Sequence, residues 1–184
     1  MCNHLSRCHA EAQPGPEKIL VKLDLFSFLP FRLNRLAAEV STALAEEYQQ
    51  RYGLDIPGWR ILATLGFRED ACTAQFIAQC TRTHKSTISR AVNALLEREL
   101  IERVENEDDR RELRLQLTPK GRALYHELVP RLKRREQEIL SCLSARERDS
   151  LADALGKIER HLDLIQASHG HDDPVAVKQK ASVG

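Results

Sequence analysis

The chain is expected to be mainly α with a small β-hairpin, and three observations carry that expectation. Its composition, 42% hydrophobic and 30% charged, is that of a globular protein and is rich in the helix formers Ala, Leu, Glu and Arg. Apolar residues recur at helical spacing through most of the segment from residue 24 to residue 168. Within it one run, Glu112-Leu113-Arg114-Leu115-Gln116-Leu117, alternates with a period of two, the pattern of a half-buried strand.

Residues 1–23 begin MCNHLSRCHAEAQPGPEK. They have no apolar stretch of the kind a secretory signal needs, and both they and the polar tail 169–184 are expected to be disordered. From Asp24 to Arg51, Leu25, Phe28, Leu29, Leu33, Leu36, Val40 and Leu44 line one face of a long helix. Pro30 predicts a kink or a separate first segment there, and Gly53 ends the run. Asp55-Ile56-Pro57 opens a second helix with Pro57 suited to its first position, followed by Trp59, Ile61, Leu62 and Leu65. Thr73 is positioned to cap a short third helix carrying Phe76, Ile77 and Cys80. A turn at Thr81–Thr83 leads into a fourth helix near His84 to Glu99. Ile101 and Val104 give the apolar positions of a first strand, Asn106 to Arg111 a polar tip, and Glu112–Leu117 the returning strand. Thr118 and Pro119 then cap and open a helix towards Cys142, which Pro130 is expected to kink or divide. Ser144-Ala145-Arg146-Glu147 matches a capping box for a last helix, striped by Leu151, Ala154, Leu155, Ile158, Leu162 and Ile165.

Several function classes recede on composition and motif. A net charge of +1 gives no overall basic field, so a nucleic-acid partner requires cations gathered on one face. Five scattered cysteines, Cys2, Cys8, Cys72, Cys80 and Cys142, have no framework spacing and fit reduced thiols in a cytoplasmic protein. Cys80 is expected in the core and Cys72 in a loop. No apolar run approaches the roughly 20 residues of a membrane span. Cys2, His4, Cys8 and His9, like His161, His169 and His171, are metal-competent residue types without zinc spacing. No phosphate loop, nucleophile elbow or HExxH pattern occurs, so no enzyme and no cofactor are expected.

The fourth helix points to DNA. Ile88, Val92, Leu95 and Leu96 form its inward stripe, leaving Lys85, Ser86, Ser89, Arg90 and Asn93 outside. Short hydroxyls and an amide permit close approach to base edges, while the cations serve phosphates or guanine. Such an arc also fits a merely solvated surface helix, and the following hairpin is what shifts the balance. A ribbon with arginines at its tip suits a minor groove, where negative potential concentrates. Helix, turn, helix and ribbon in this order are the layout of a winged helix-turn-helix. The candidate DNA contacts are Arg82, His84, Lys85, Ser86, Thr87, Ser89, Arg90 and Asn93, with Asp109, Arg110 and Arg111 at the tip.

Thr73 to Arg90, with Lys85-Ser86-Thr87-Ile88-Ser89-Arg90, then Asp109-Arg110-Arg111 and Leu117-Thr118-Pro119-Lys120-Gly121, resembles the MarR family of bacterial regulators over about residues 24–168. The resemblance implies a homodimer on a pseudo-palindromic double-stranded operator, with Arg111 in the minor groove and Asp109 bracing it. It implies a helical dimerisation lobe from residues 24–53 and 119–168 and a DNA-binding lobe from 54–118. It further implies repression relieved by a small aromatic or phenolic effector bound between the lobes, for which Phe28, Arg32, Trp59, Arg60, Tyr125 and His126 are candidates. A thiol or metal signal, or a helical protein-interaction module without DNA, are the alternatives. One departure stands out: the family often has glycine near position 82, where this chain has Arg82 between two threonines.

Overall fold

The computed structural model describes residues 22–68, 70–105 and 113–164. The chain divides into two compact units, Met1–Leu36 and Ala37–Gly184.

In the first unit, Asp24 organises a turn. Its carboxylate accepts from the Phe26 N–H at 3.1 Å and the Ser27 hydroxyl at 2.6 Å, and these bonds, Ser27's foremost, hold its pKa below the ordinary value. Helix α1 (Leu29–Tyr52) starts directly afterwards. Pro30 is its second residue, where a missing N–H leaves no helical bond unmade, so it marks the helix start instead of a kink. Phe26 and Phe31 meet edge to face at 5.9 Å, with the Arg35 guanidinium 5.5 and 5.8 Å from their ring centres. Leu23, Leu25, Phe26, Phe28, Leu29, Leu33 and Leu36 are all exposed.

The second unit holds the core. α1 ends at Gly53, whose φ of 58° is left-handed, a conformation glycine adopts without strain. Asp55 accepts from the Gly58 N–H at 2.8 Å and so caps α2 (Ile56–Arg68). Pro57 therefore falls at the second helical position, not the first. There follow β1 (Cys72–Thr73), α3 (Ala74–Cys80), α4 (Lys85–Glu97), β2 (Ile101–Glu105), β3 (Leu113–Leu117), α5 (Pro119–Ile139) and α6 (Ala145–His161). Ile61, Leu62 and Leu65 of α2, Phe76 and Ile77 of α3, and Ile88, Val92 and Leu95 of α4 form the centre of the core. Ala45 and Tyr48 of α1, Leu115 and Leu117 of β3, and Leu128 of α5 close it.

The sheet has three antiparallel strands in the order β1-β3-β2, one more than the expected hairpin. Cys72 pairs with Leu115, while β2 and β3 run in register from Ile101–Leu117 to Glu105–Leu113. β1 escapes a search for alternation because two residues contain no period. It also corrects the placement of Cys72, which is not in a loop but fully buried in the strand. Cys80 is half-buried against the core.

The Leu117-Thr118-Pro119-Lys120-Gly121 run has a clear physical cause. Thr118 caps α5, accepting from the Gly121 N–H at 3.0 Å, and its hydroxyl donates to the Glu99 carbonyl at 2.7 Å. A Cβ on Gly121 would sit 1.9 Å from the Leu100 carbonyl oxygen, so only glycine lets α5 start against the end of α4. Pro130 lies inside α5 without dividing it. Leu128 and Leu132 hold the surrounding turns in the core, and Arg135 reaches Glu46 of α1 and Glu138, each at 3.0 Å. The Tyr52 hydroxyl donates to Glu127, and Arg98 donates to the carbonyls that end α1 and follow it, Tyr52 at 2.6 Å and Gly53 at 3.1 Å.

The capping box at α6 forms as expected. Glu147 accepts from the Ser144 N–H at 2.8 Å, and Ser144 accepts from the Glu147 N–H at 3.4 Å. Yet no α6 residue is buried. Leu151, Leu155, Ile158 and Leu162 are 39%, 40%, 40% and 61% exposed, and Ile165 lies outside the described residues.

Candidate nucleic-acid interface

The Thr73 hydroxyl accepts from the Phe76 N–H at 3.0 Å and starts α3. At the other end the Thr83 N–H bonds to the Ala78 carbonyl at 3.0 Å and the Arg82 N–H to Gln79 at 3.2 Å. That pair is a Schellman termination, which needs a left-handed residue between them. Arg82, with φ of 50°, supplies it. Side chains fix the same turn: the Thr81 hydroxyl donates to the Ile77 carbonyl at 2.7 Å, and Arg60 of α2 donates to the Thr83 hydroxyl at 3.4 Å. Arg60 also reaches the Ser41 hydroxyl at 3.5 Å.

His84 is the N-cap of α4. Its Nδ1 accepts from the Ser86 N–H at 3.3 Å and lies 2.8 Å from the Ser86 hydroxyl. With Nδ1 engaged by Ser86, Nε2 is the ring nitrogen left to face outward. The apolar stripe of α4 is buried at Ile88, Ala91, Val92 and Leu95, with Leu96 half-buried at its edge. Lys85, Ser86, Ser89, Arg90 and Asn93 are exposed, and Thr87 is half-buried. Arg90 Nε leans back on the Ser86 carbonyl at 3.4 Å. A crevice of about 260 Å³ separates α4 from α3 and the sheet, with Lys85, Ser89, Asn93, Gln75 and Arg103 around an apolar floor that includes Ile88, Val92 and Leu115. Gln75 and Arg103 were not among the sequence candidates. Their signal was available in the first turn of the first helix of the pair and in the outward positions of β2. Asp109, Arg110 and Arg111 lie outside the described residues.

The effector candidates occupy different surroundings. Trp59 is stacked with Tyr48 at 5.8 Å and with Tyr125 at 6.2 Å, and His126 meets Tyr125 edge-on at 5.5 Å. Gly66 makes room for this packing, since a Cβ there would lie 2.7 Å from the Tyr125 ring. Burial pushes the Tyr48 hydroxyl pKa up. A largely apolar groove of about 370 Å³ runs along Val40, Leu44, Trp59, Val129, Leu132, Ile139 and Leu140, with Lys133 and Glu136 as its charged members. Trp59 alone of the six candidates lines it. Arg60 serves the turn before α4. Phe28 and Arg32 are exposed residues of the first unit. Among the described residues no three His, Cys, Asp or Glu side chains are grouped to hold a metal, and no helix is long and apolar enough to cross a membrane.

Two helices joined by a fixed turn, the second bearing an exposed polar arc and followed by an antiparallel ribbon, define a winged helix-turn-helix protein. Residues 52–112 match the MarR family. The transcriptional regulator PecS of Dickeya dadantii is 31% identical over 132 residues, spanning 71% of this chain and 79% of PecS. The transcriptional repressor MprA of Escherichia coli K12 is 28% identical over 145 residues, 77% of this chain and 82% of MprA. A solved MarR/EmrR family regulator from Acinetobacter sp. ADP1 superposes with a TM-score of 0.68 at 26% identity, covering 78% of this chain and 100% of the other. The chain belongs to the MarR family of transcriptional regulators.

Proposed function

We propose that the protein is a homodimeric repressor that reads a pseudo-palindromic operator with α4 and is released by a small aromatic or phenolic ligand. The observation that carries this is the arc of Lys85, Ser86, Ser89, Arg90 and Asn93, exposed on a helix whose opposite face is locked into the core. Ser86 and Ser89 let the helix approach the bases, Asn93 matches adenine, and Lys85 and Arg90 match guanine or phosphate. His84 Nε2 and the Thr87 hydroxyl are further donors at the helix start. By family likeness Asp109, Arg110 and Arg111 take the wing into the minor groove.

The exposed stripe of α6 supports a dimer, because apolar rows of this length are normally covered. Two-fold symmetry sets the recognition helices one DNA turn apart, about 34 Å. Repression is favoured by the likeness to MprA, and such a regulator works in the bacterial cytoplasm. The groove beside Trp59 is the site assigned to the effector, its apolar walls suiting a ring and Lys133 an acidic group. A ligand that prefers a dimer with wrongly spaced α4 helices lowers operator affinity by that preference alone.

Selection from a randomised DNA pool tests the DNA assignment. Two related half-sites one turn apart are expected, and Ser89→Ala or Arg90→Ala should relax preference by about 1–3 kcal/mol at a contacted base pair. A pool that shows no enrichment overturns it. A panel of aromatic acids tests the effector: a binder should raise the melting temperature and weaken operator binding together, and no response across the panel removes the aromatic ligand from the proposal.

A further inference from the structure

Among the described residues three non-glycines adopt left-handed backbone, Arg82, Glu99 and Asp163. Each follows the end of a helix, α3, α4 and α6 respectively, in the position where glycine is usual. Their charges differ by place. The two acids follow the C-terminal ends of α4 and α6, whereas the cation stands on the turn into α4, two residues before its N-cap His84. Glu99 has a cation 3.7 Å away in Lys120. Among the described residues no acid lies in ion-pair range of Arg82, and its side chain is exposed. Its backbone is nonetheless held firmly, by the two Schellman hydrogen bonds and by the Thr81, Thr83 and Arg60 side chains behind it.

From this geometry we propose that Arg82 is a backbone-phosphate anchor, fastening the turn of the helix-turn-helix to the DNA strand beside the groove that α4 enters. The proposal rests on the DNA-binding function above and adds a residue to it. A left-handed residue whose neighbours are fixed on both sides loses little further backbone freedom when its side chain takes a phosphate. The guanidinium offers a planar fork suited to two phosphate oxygens. Glycine at the same place would satisfy the turn better and bind nothing.

Three substitutions separate the phosphate contact from the turn: Arg82→Gly, Arg82→Gln and Arg82→Lys. The readouts are thermal melting and the salt dependence of binding to a fluorescein-labelled mixed-sequence duplex of about 30 base pairs, long enough for two half-sites one turn apart. Each lost phosphate contact should lower the slope of log K against log salt by about 0.9, hence by about 1.8 for two copies in a dimer. Arg82→Gly is expected to melt at or above the wild-type temperature while binding with the reduced slope. Arg82→Gln, which keeps a side chain on the left-handed backbone, should show the same loss of slope, and Arg82→Lys should retain the wild-type slope. If Arg82→Gly and Arg82→Gln stay folded with an unchanged slope, the anchor is overturned. A drop in the melting temperature of Arg82→Gln at unchanged slope also overturns it, leaving the cation to balance the C-terminal dipole of α3. Wild-type protein with no salt-dependent binding to the duplex counts against the DNA-binding function itself, a different failure.

Discussion

Helices α4 and α6 are built by the same rules and end in opposite situations. Both begin at a side-chain cap, His84 in one and Ser144 in the other, and both carry an apolar stripe at helical spacing. α4 buries Ile88, Ala91, Val92 and Leu95 within its own chain, and α6 buries nothing. Amphipathic spacing thus reveals that a helix has a partner without saying whether the partner belongs to the same chain. The helix assigned to DNA is founded on the core, and the helix proposed to set its spacing leaves its apolar stripe exposed.

The largest expected effect lies on α6. Leu155→Asp combined with Ile158→Asp should convert a dimer to a monomer by sedimentation, with the α4 lobe still folded by circular dichroism. Operator affinity should fall by about 10²–10⁴-fold, the usual gain from linking two binding events. A variant that stays dimeric and binds normally would mean that the α6 stripe serves something else. Next comes the core side of α4: Leu95→Ala should cost about 2–5 kcal/mol of unfolding free energy in urea titrations. Leu155→Ala should be nearly neutral in dilute monomer, and an equal cost at both positions would erase the contrast between the helices. The caps follow, with His84→Ala and Ser144→Ala each expected to cost about 0.5–2 kcal/mol. Loss of the His84 cap should also weaken DNA binding, whereas loss of the Ser144 cap should act only through assembly.

The smallest effect is a pH dependence. Hydrogen bonds from the Ser144 hydroxyl and then its backbone N–H hold the Glu147 pKa below its ordinary value. A depressed folded pKa stabilises the helix start above the ordinary glutamate value of about 4.3 and loses that contribution as pH falls through the folded pKa. Helicity of α6 should therefore weaken on acidification below about pH 4, and Glu147→Gln should remove this component. Equal acid profiles for the two proteins would assign no such role to the box.

What could be read from the sequence was the chemistry that acts locally. Thr73, Thr118 and Ser144 were recognisable as caps because capping needs only a hydroxyl and the N–H two or three residues on. The period of β3 was visible because five residues contain it. β1 was hidden by its two-residue length, and its existence depends on pairing with Leu115 and Arg114 far along the chain. Pro130 does not divide α5, because Leu128 and Leu132 hold the turns around it in the core, which the local sequence does not encode. The α4 arc was legible from spacing. Gln75 and Arg103 were legible only as outward positions of their elements, and their place beside the arc depends on how α3 and the sheet pack against α4. The six side chains chosen for an effector do not gather in one place, and Trp59 alone of them lines the groove, because tertiary packing decides what shares a wall.

Trp59 is also the single tryptophan of the chain, stacked with two tyrosines on the wall of that groove. No aromatic ring belongs to α4. Tryptophan emission, excited at wavelengths tyrosine does not absorb, therefore comes from one side chain, on the groove wall and not on α4. A quencher or an absorbing ligand entering the groove will dim it directly, without any label. An unmodified sample thus carries its own optical gauge of groove occupancy, readable in the same cuvette while a dye on the DNA reports the other event.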